Sequence, residues 1–365
     1  MKIIGPIAGI GSRLRPFTLS KPKAFIHVAG KTVLDHILEK FINTFDADTE
    51  LILIVGYKKR QIMNYVKRHY KDKFDLTFIE QIPRGFKDNV PYYWGLGEAI
   101  YLAHERFEPR EMKSNEENKR NGGLIFLGDM ILLDEYSYLM YRYYESDVDG
   151  IITVMKVPKE DASSYGIVEV DDDNIIQRLV EKPKEYISDL AIAGIYAFSH
   201  SAMNALFSNL KKYLDQRTKD SEEIYMTDSL QDLVDQGFKI AAVELKQGIL
   251  DFGRPDNLLE GNKYLLEHQT SQNQDYDELN VTLERSKVKN PVHLGKNVKL
   301  INSVVGPHVS IDKNTIIENC ILENCVIERN TYLKDIITEK SIIGSNVKVE
   351  KISKGNLIIG DKSIY

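Results

Sequence analysis

In the last quarter of the chain, apolar residues return about every five or six positions: Val292, Val298, Val304 or Val305, Val309, Ile316, Ile321 and Val326. Gly-Lys-Asn, Gly-Pro-His and Gly-Ser-Asn turns lie between them. A period this short cannot be a solenoid of helices and fits the coils of a parallel β-helix built from hexapeptide repeats. One coil leaves its apolar face exposed until neighbours stack on it, so the domain is structural first, and a homo-oligomer is expected. Two histidines at its turns, His293 and His308, read as solvated.

Residues 1 to about 265 have another rhythm. Short apolar runs alternate with helical patterns, the mark of a mostly parallel sheet covered on both faces, an α/β fold of the Rossmann-like kind. Ile3 to Ala8, Leu51 to Val55, Leu76 to Ile79 and Leu124 to Leu127 predict strands. Behind a Thr32/Asp35 cap, Val33, Leu34, Ile37, Leu38, Phe41 and Ile42 form one helix face, and Gln61 to His69 predicts a second helix. Glu108 to Gly123 reads as a solvated loop. The expected domains are 1–266, a Gln/Asn-rich linker over 267–290, and the β-helix over 291–365.

Charge and cysteine usage exclude several classes. A net charge of -6 argues against nucleic acid as the main partner. Cys320 and Cys325 stand in no metal-ligand pattern and suit a reduced, cytoplasmic protein. The N-terminal apolar run, broken by Gly5 and Pro6, is too short for a secretion signal or a membrane span.

Straight out of the first strand comes Ile7-Ala8-Gly9-Ile10-Gly11-Ser12-Arg13-Leu14-Arg15-Pro16, followed by Ser20-Lys21-Pro22-Lys23. A glycine turn here is where an α/β sheet receives a phosphorylated ligand, because bare backbone N–H groups approach the anion. The dinucleotide fingerprint GxGxxG fails, since Leu14 stands where its third glycine belongs. A P-loop ending in Gly30-Lys31-Thr32 fails as well, since Phe25 occupies its first glycine position; that tripeptide reads as a turn and a helix N-cap.

The segment GIGSRLRPFTLSKPK resembles the sugar-1-phosphate nucleotidylyltransferases, whose signature is Gly-x-Gly-Thr/Ser-Arg-Leu, then Pro, then a Pro-Lys pair. Later elements extend the likeness: Gln81 with Gly95 to Ile100, Gly128-Asp129, Tyr165 to Val168, Val180 to Pro183, Ala193 to Tyr196, Ile224 to Asp228, and Gly248 to Gly253. The resemblance implies attack by a sugar-1-phosphate oxygen on the α-phosphorus of a nucleoside triphosphate, with Mg²⁺ bound and pyrophosphate released. Such transfer depends on positioning and charge neutralisation and needs no nucleophilic serine or cysteine.

By the same resemblance, Ala8, Gly9, Gly11 and Ser12 wrap the nucleotide, and Arg13 and Lys23 hold its triphosphate, with Arg15 as an assistant or a solvated neighbour. Asp129 and Asp251 hold Mg²⁺. Gln81 and Gly95 meet the base. Gly166, Glu181, Lys182 and Ala193 hold the sugar phosphate, and Asp228 caps or orients. Relative to compact members the loop with Arg84, Lys87 and Trp94 is enlarged, and Trp94 reads equally as packing or pocket. Ile249 replaces a common aromatic. The arginine that often precedes Thr-Asp has no counterpart: Ser221 stands at its distance, with Arg217 and Lys219 nearby.

The likeness points first to long-form glucose-1-phosphate thymidylyltransferases with a left-handed β-helix. UTP, or GTP with mannose-1-phosphate, stays open, as does a catalytically silent binding subunit, against which Lys23, Asp129 and Asp251 argue. The β-helix also resembles that of hexapeptide acyltransferases, but its few coils and its histidines lack an acyl-carrier context.

Overall fold

The computed structural model describes residues 1–87, 90–217, 223–268, 274–352 and 355–365. Ser221, Lys219, the side chain of Lys87 and positions 269–273 of the expected linker lie outside the described residues. Contacts group the chain into two compact units that cut across sequence order: Met1–Gly9 with Leu38–Ile249, and Ile10–Ile37 with Leu250–Tyr365.

The first unit is built on a nine-stranded sheet. Its strands are β1 (Lys2–Pro6), β2 (Glu50–Val55), β3 (Asp75–Glu80), β4 (Gly123–Ile125), β5 (Gly150–Lys156), β6 (Gly166–Val170), β7 (Ile176–Glu181), β8 (Leu190–Phe198) and β9 (Ile240–Glu244). The order is β7-β6-β8-β4-β1-β2-β3, with β5 paired to β8 and to β9. Around β1 all pairs are parallel, whereas β8 runs against β4, β5 and β6, and β7 against β6.

Parallel strands need cover on both faces, and their sequences show it. Ile3 and Ile4, like Leu51 and Ile52, point to opposite faces, yet all are 0% exposed. One face packs Ile4, Ile52, Ile125 and Phe198 against Ile100, Leu206 and Leu230. Elsewhere Phe41 sets its ring 5.0 Å from Phe126 and 4.5 Å from Tyr136. The stretch expected to be a solvated loop instead contains the helix Asn115–Arg120. Ser114 Oγ accepts from the Glu117 N–H at 3.1 Å, and Glu117 Oε2 accepts from the Lys113 N–H at 2.8 Å. That S-x-x-E capping box was legible in the sequence and outweighs the surrounding charge.

The second unit stacks short parallel strands into a β-helix, consistent with the left-handed coil. One face carries 292–294, 309–311, 326–327, 342–343 and 358–359 in register. Coils turn at residues with positive φ, among them Asn280, Asn297, Asn314, Asn330 and Asn346, a conformation that asparagine tolerates better than most residues. Their amides form a ladder, each Nδ2 donating to the Oδ1 one coil on, at 2.8, 2.9, 3.2 and 3.2 Å. The separations of 17 and then 16 residues give the coil length. The parallel ladder already starts at Thr282, which pairs with Lys299.

Inside the coils, Leu300, Val305, Ile311, Leu322, Leu333 and Val349 are 0% exposed. Cys320 and Cys325 are free and buried, and burial pushes their thiols up to about 11 and about 12. The histidines are not solvated. His293 lies under Gly30 and within 3.1 Å of Gln274 Nε2, and His308 pairs with Glu267 at 2.8 Å. His293 lies within the strand Val292–Leu294 and His308 at a turn, and in neither case does the local sequence reveal what packs over the ring.

Residues 10–37 belong to this unit. They contain the hairpin His27–Val28 with Lys31–Thr32 and the start of the helix Val33–Ile42. Thr32 and Asp35 exchange bonds of 3.2 and 3.0 Å, the expected cap. Among the described residues no helix is long and apolar enough to cross a membrane.

Candidate functional site

In the second unit, Gly11 adopts φ +67. A Cβ there would lie 2.9 Å from Thr18 Cγ2 and 3.0 Å from Lys23 Cβ, in a conformation L side chains disfavour, so the position requires glycine. Its carbonyl accepts from Thr18 Oγ1 at 2.8 Å and from the Leu14 N–H at 3.0 Å. The result is a tight turn, Ser12–Leu14, that leaves Ser12, Arg13 and Arg15 exposed while Leu14 is buried. Lys23 is half-buried beside that turn and opens another, Lys23–Phe25, behind an extended Pro22. Asp251 is half-buried, and its Oδ1 accepts from the Gly253 N–H at 2.8 Å.

In the first unit, Ala8 is buried and Gly9 exposed just beyond β1, and the Ala8 carbonyl accepts from the Tyr57 N–H at 3.1 Å. Asp129 follows Gly128, which packs so closely on Ile7 that any side chain there would collide with it. This places half-buried Asp129 beside the carboxyl end of β1, the edge where α/β sheets take ligands.

Gln81 continues from β3, its N–H donating to the Val55 carbonyl at 2.8 Å. The side chain is buried and its amide NH₂ donates to Glu98 Oε2 at 2.8 Å and to the Gly95 carbonyl at 3.4 Å. Glu98, 1% exposed, also accepts from the Trp94 N–H at 3.0 Å and pairs with Arg84, whose guanidinium lies 4.3 Å from the Trp94 ring centroid. The enlarged loop with Arg84, Lys87 and Trp94 holds a paired strand, Gly85–Lys87 with Val90–Tyr92. Glu98 had no expected role, although a carboxylate beside Leu96, Ala99 and Ile100 on one short helix signals a buried, paired charge.

A second cluster lies on β6 and β7. Gly166 stands opposite Glu181, and a Cβ on it would come within 3.2 Å of both Glu181 Oε2 and Thr227 Oγ1. Thr227 Oγ1 donates to Glu181 Oε2 at 2.7 Å. Lys182, at φ +44, has its Nζ 3.5 Å from Glu181 Oε1 and 4.9 Å from the Tyr225 ring centroid. Asp228 is held above the usual carboxylate range, mainly by burial, then by the negative charges of Glu181 and Asp232. Ala193 is 0% exposed within β8, next to Gly194 at φ +81. Thr227 and Tyr225, which complete this cluster, carried no expected role.

The site residues of the first unit thus gather in two groups, Gln81 with Gly95 and Gly166 with Glu181 and Lys182, while Gly11, Ser12, Arg13 and Lys23 gather in the second unit.

The nucleotidyl transferase family model matches residues 7–268. A bifunctional protein GlmU of Methanocaldococcus jannaschii is 35% identical over 262 residues, 71% of this chain and 53% of that protein. The chain spans about half the length of the GlmU relatives it matches. A glucose-1-phosphate thymidylyltransferase of Streptomyces antibioticus is 26% identical over 100% of this chain and 98% of its own length. A UTP–glucose-1-phosphate uridylyltransferase, AglF, of Haloferax volcanii is 27% identical over 74% of this chain and 98% of its own. The solved UDP-glucose pyrophosphorylase of Acinetobacter baumannii shares the fold, at TM-score 0.57 and 21% identity over 76% of this chain and 97% of that one. With the match covering well over half of its residues, the chain belongs to the nucleotidyl transferase family.

Proposed function

We propose that the protein transfers a nucleotidyl group from a nucleoside triphosphate, dTTP first, to a sugar-1-phosphate, glucose-1-phosphate first. The observation that carries this reading is the glycine turn at Gly11 with Lys23 packed against it. A sugar-phosphate oxygen forms a bond to the α-phosphorus as the bond to the β-phosphate oxygen breaks, and pyrophosphate leaves with the negative charge. Arg13 and Lys23 hold the triphosphate, and the backbone of Gly9, Gly11 and Ser12 wraps its terminal phosphates. Lys182 holds the sugar phosphate. Glu181, oriented by Thr227, and Gly166, which leaves room, receive the sugar hydroxyls.

By the family likeness Asp129 and Asp251 would hold Mg²⁺: each is a half-buried carboxylate, the hard-oxygen donor that ion prefers. Bound there, the ion would neutralise charge on the α-phosphate.

Contact with the base falls to Gln81: with its NH₂ committed to Glu98 and Gly95, Oε1 is the atom it offers, an acceptor for the ring N–H of thymine, uracil or guanine and equally for the amino group of adenine or cytosine, so the choice among bases rests on the relatives. The end-to-end relative favours dTTP. UTP is the second reading, supported by the uridylyltransferase relative. Assembly of copies through the stacked coils belongs to the same reading, with light scattering as its test.

Pairing each triphosphate with several sugar-1-phosphates, with Mg²⁺ present and pyrophosphate release as readout, tests the reaction. Lys23→Ala and Asp129→Asn should each cut turnover by about 10² or more, the scale of losing one preorganised charge-stabilising group. Silence of the unaltered protein across the panel would favour a binding subunit.

A further inference from the structure

The segment with Arg13 and Lys23 is fastened along one corner of the β-helix. Residues that follow the five rungs form that corner: Gly295, Asp312, Glu328, Gly344 and Gly360. The N–H groups of the first four donate to Ile311, Ile327, Ile343 and Ile359 of the next rung, so the corner is rigidly tied. Residues 30 back to 16 cross it rung by rung. Gly30 covers His293 on the first rung, and His27 meets Asp312 and Arg329 on the second and third. Lys21 reaches Glu328 and Asp361, and Pro16 lies on Gly360 of the fifth. Parallel strands stand about 4.8 Å apart, so the crossing covers roughly 19 Å.

Its tightest point is Lys21, whose side chain is 12% exposed. Lys21 Nζ pairs with Glu328, 2% exposed, and lies 3.1 Å from Asp361. Ser20 Oγ donates to Asp361, Ser345 Oγ donates to Glu328 Oε2 at 2.6 Å, and the Ser345 N–H donates to Asp361 Oδ1 at 2.9 Å. A buried pair of this kind adds little net stability, but removing one partner is costly, so it defines a position. Pro22, with its fixed φ, joins Lys21 to Lys23, and Lys23 backs the Gly11 turn.

We propose that Glu328 and Asp361 are positioning residues for nucleotidyl transfer: by clasping Lys21 they set, through Pro22, the place of Lys23 against the glycine turn. The proposal rests on reading residues 9–23 as the triphosphate cradle. It gives the β-helix a role in the reaction without a residue that touches substrate.

The test uses the full chain carrying Glu328→Gln and Asp361→Asn together, and the same pair with Lys21→Met, which leaves no unpaired buried charge and so preserves the fold. Both should raise KM for the triphosphate by about tenfold, with KM for the sugar-1-phosphate within about twofold of normal. Amide exchange over residues 10–25 should quicken by about tenfold while the coils stay protected. Unchanged triphosphate KM and exchange in the folded triple variant would overturn the proposal, as would a loss shared equally by both substrates. If the unaltered protein turns over no triphosphate, the reading of its function fails while the clasp stays testable. In that case, faster exchange with weaker binding of inorganic pyrophosphate supports the clasp, and unchanged values for both overturn it.

Discussion

Two buried carboxylates each organise a stretch of the signature, and they do so over very different distances. Glu98 gathers Gln81, Arg84 and Trp94, all within 17 residues of it. Glu328 gathers Ser345 from the next coil and Lys21 from 307 residues away. The first centre forms within one loop and one short helix turn. The second exists only after the coils have stacked and residues 10–37 have settled on them. A base-reading element can therefore be shaped locally, whereas the phosphate-gripping element borrows its rigidity from a distant domain.

The contrast is broken most severely at Glu98. Glu98→Ala strands the buried Gln81 amide and releases the partly exposed Arg84, and should cost up to about 3 kcal/mol, read as a lower urea midpoint. Glu98→Gln keeps an acceptor and should cost less, yet release Gln81 to turn its amide, changing the relative rates with the different nucleoside triphosphates in the pyrophosphate assay. An unchanged preference in a folded Glu98→Gln protein would remove Gln81 from base selection.

Acid should separate the two centres next. Burial pushes His27 and His293 from 6.5 down to about 4. Asp312, Arg329, Lys21 and Asp35 face His27, and Asp312, His36 and Lys31 face His293. Below pH 6.5 the unfolded chain binds protons that the native imidazoles refuse until about 4, so stability falls on acidification through that window, by up to about 3 kcal/mol for each histidine. Exchange over residues 10–37 at pH 4.5 should rise before that around Glu98, and His293→Gln should blunt the effect. Equal protection of both regions at pH 4.5 would show that the long-range docking is no more fragile than the local one.

The smallest effect is expected in the ladder. Asn314→Ala removes two inter-coil amide bonds and puts alanine at positive φ. A loss of about 1–2 kcal/mol is expected by thermal unfolding.

Much of this was legible in the sequence. Gly11 had to be glycine, Thr32 and Asp35 had to cap, and apolar returns at five and six add to coils of 16 and 17 residues. The grouping of Gly166, Glu181 and Lys182 followed from the family likeness. What stayed hidden was which surface a loop lies on. Nothing near Lys21 announces Glu328, and nothing near His293 announces Gly30, because contacts across hundreds of residues leave no local pattern. Helix Asn115–Arg120 is hidden for another reason: its Ser114 cap and Glu117 stand in a run of charge that otherwise reads as solvated loop.

The coil of 16 or 17 residues also has a counting consequence. A β-helix can gain or lose a whole coil with little local damage, since each rung resembles its neighbours. Here such an edit within the crossed rungs would shift every later partner by about 4.8 Å relative to residues 16–30. Lys21 would then face the wrong rung. The number of coils and the length of the N-terminal segment are therefore coupled quantities, and a chain of this design can change one only by changing the other.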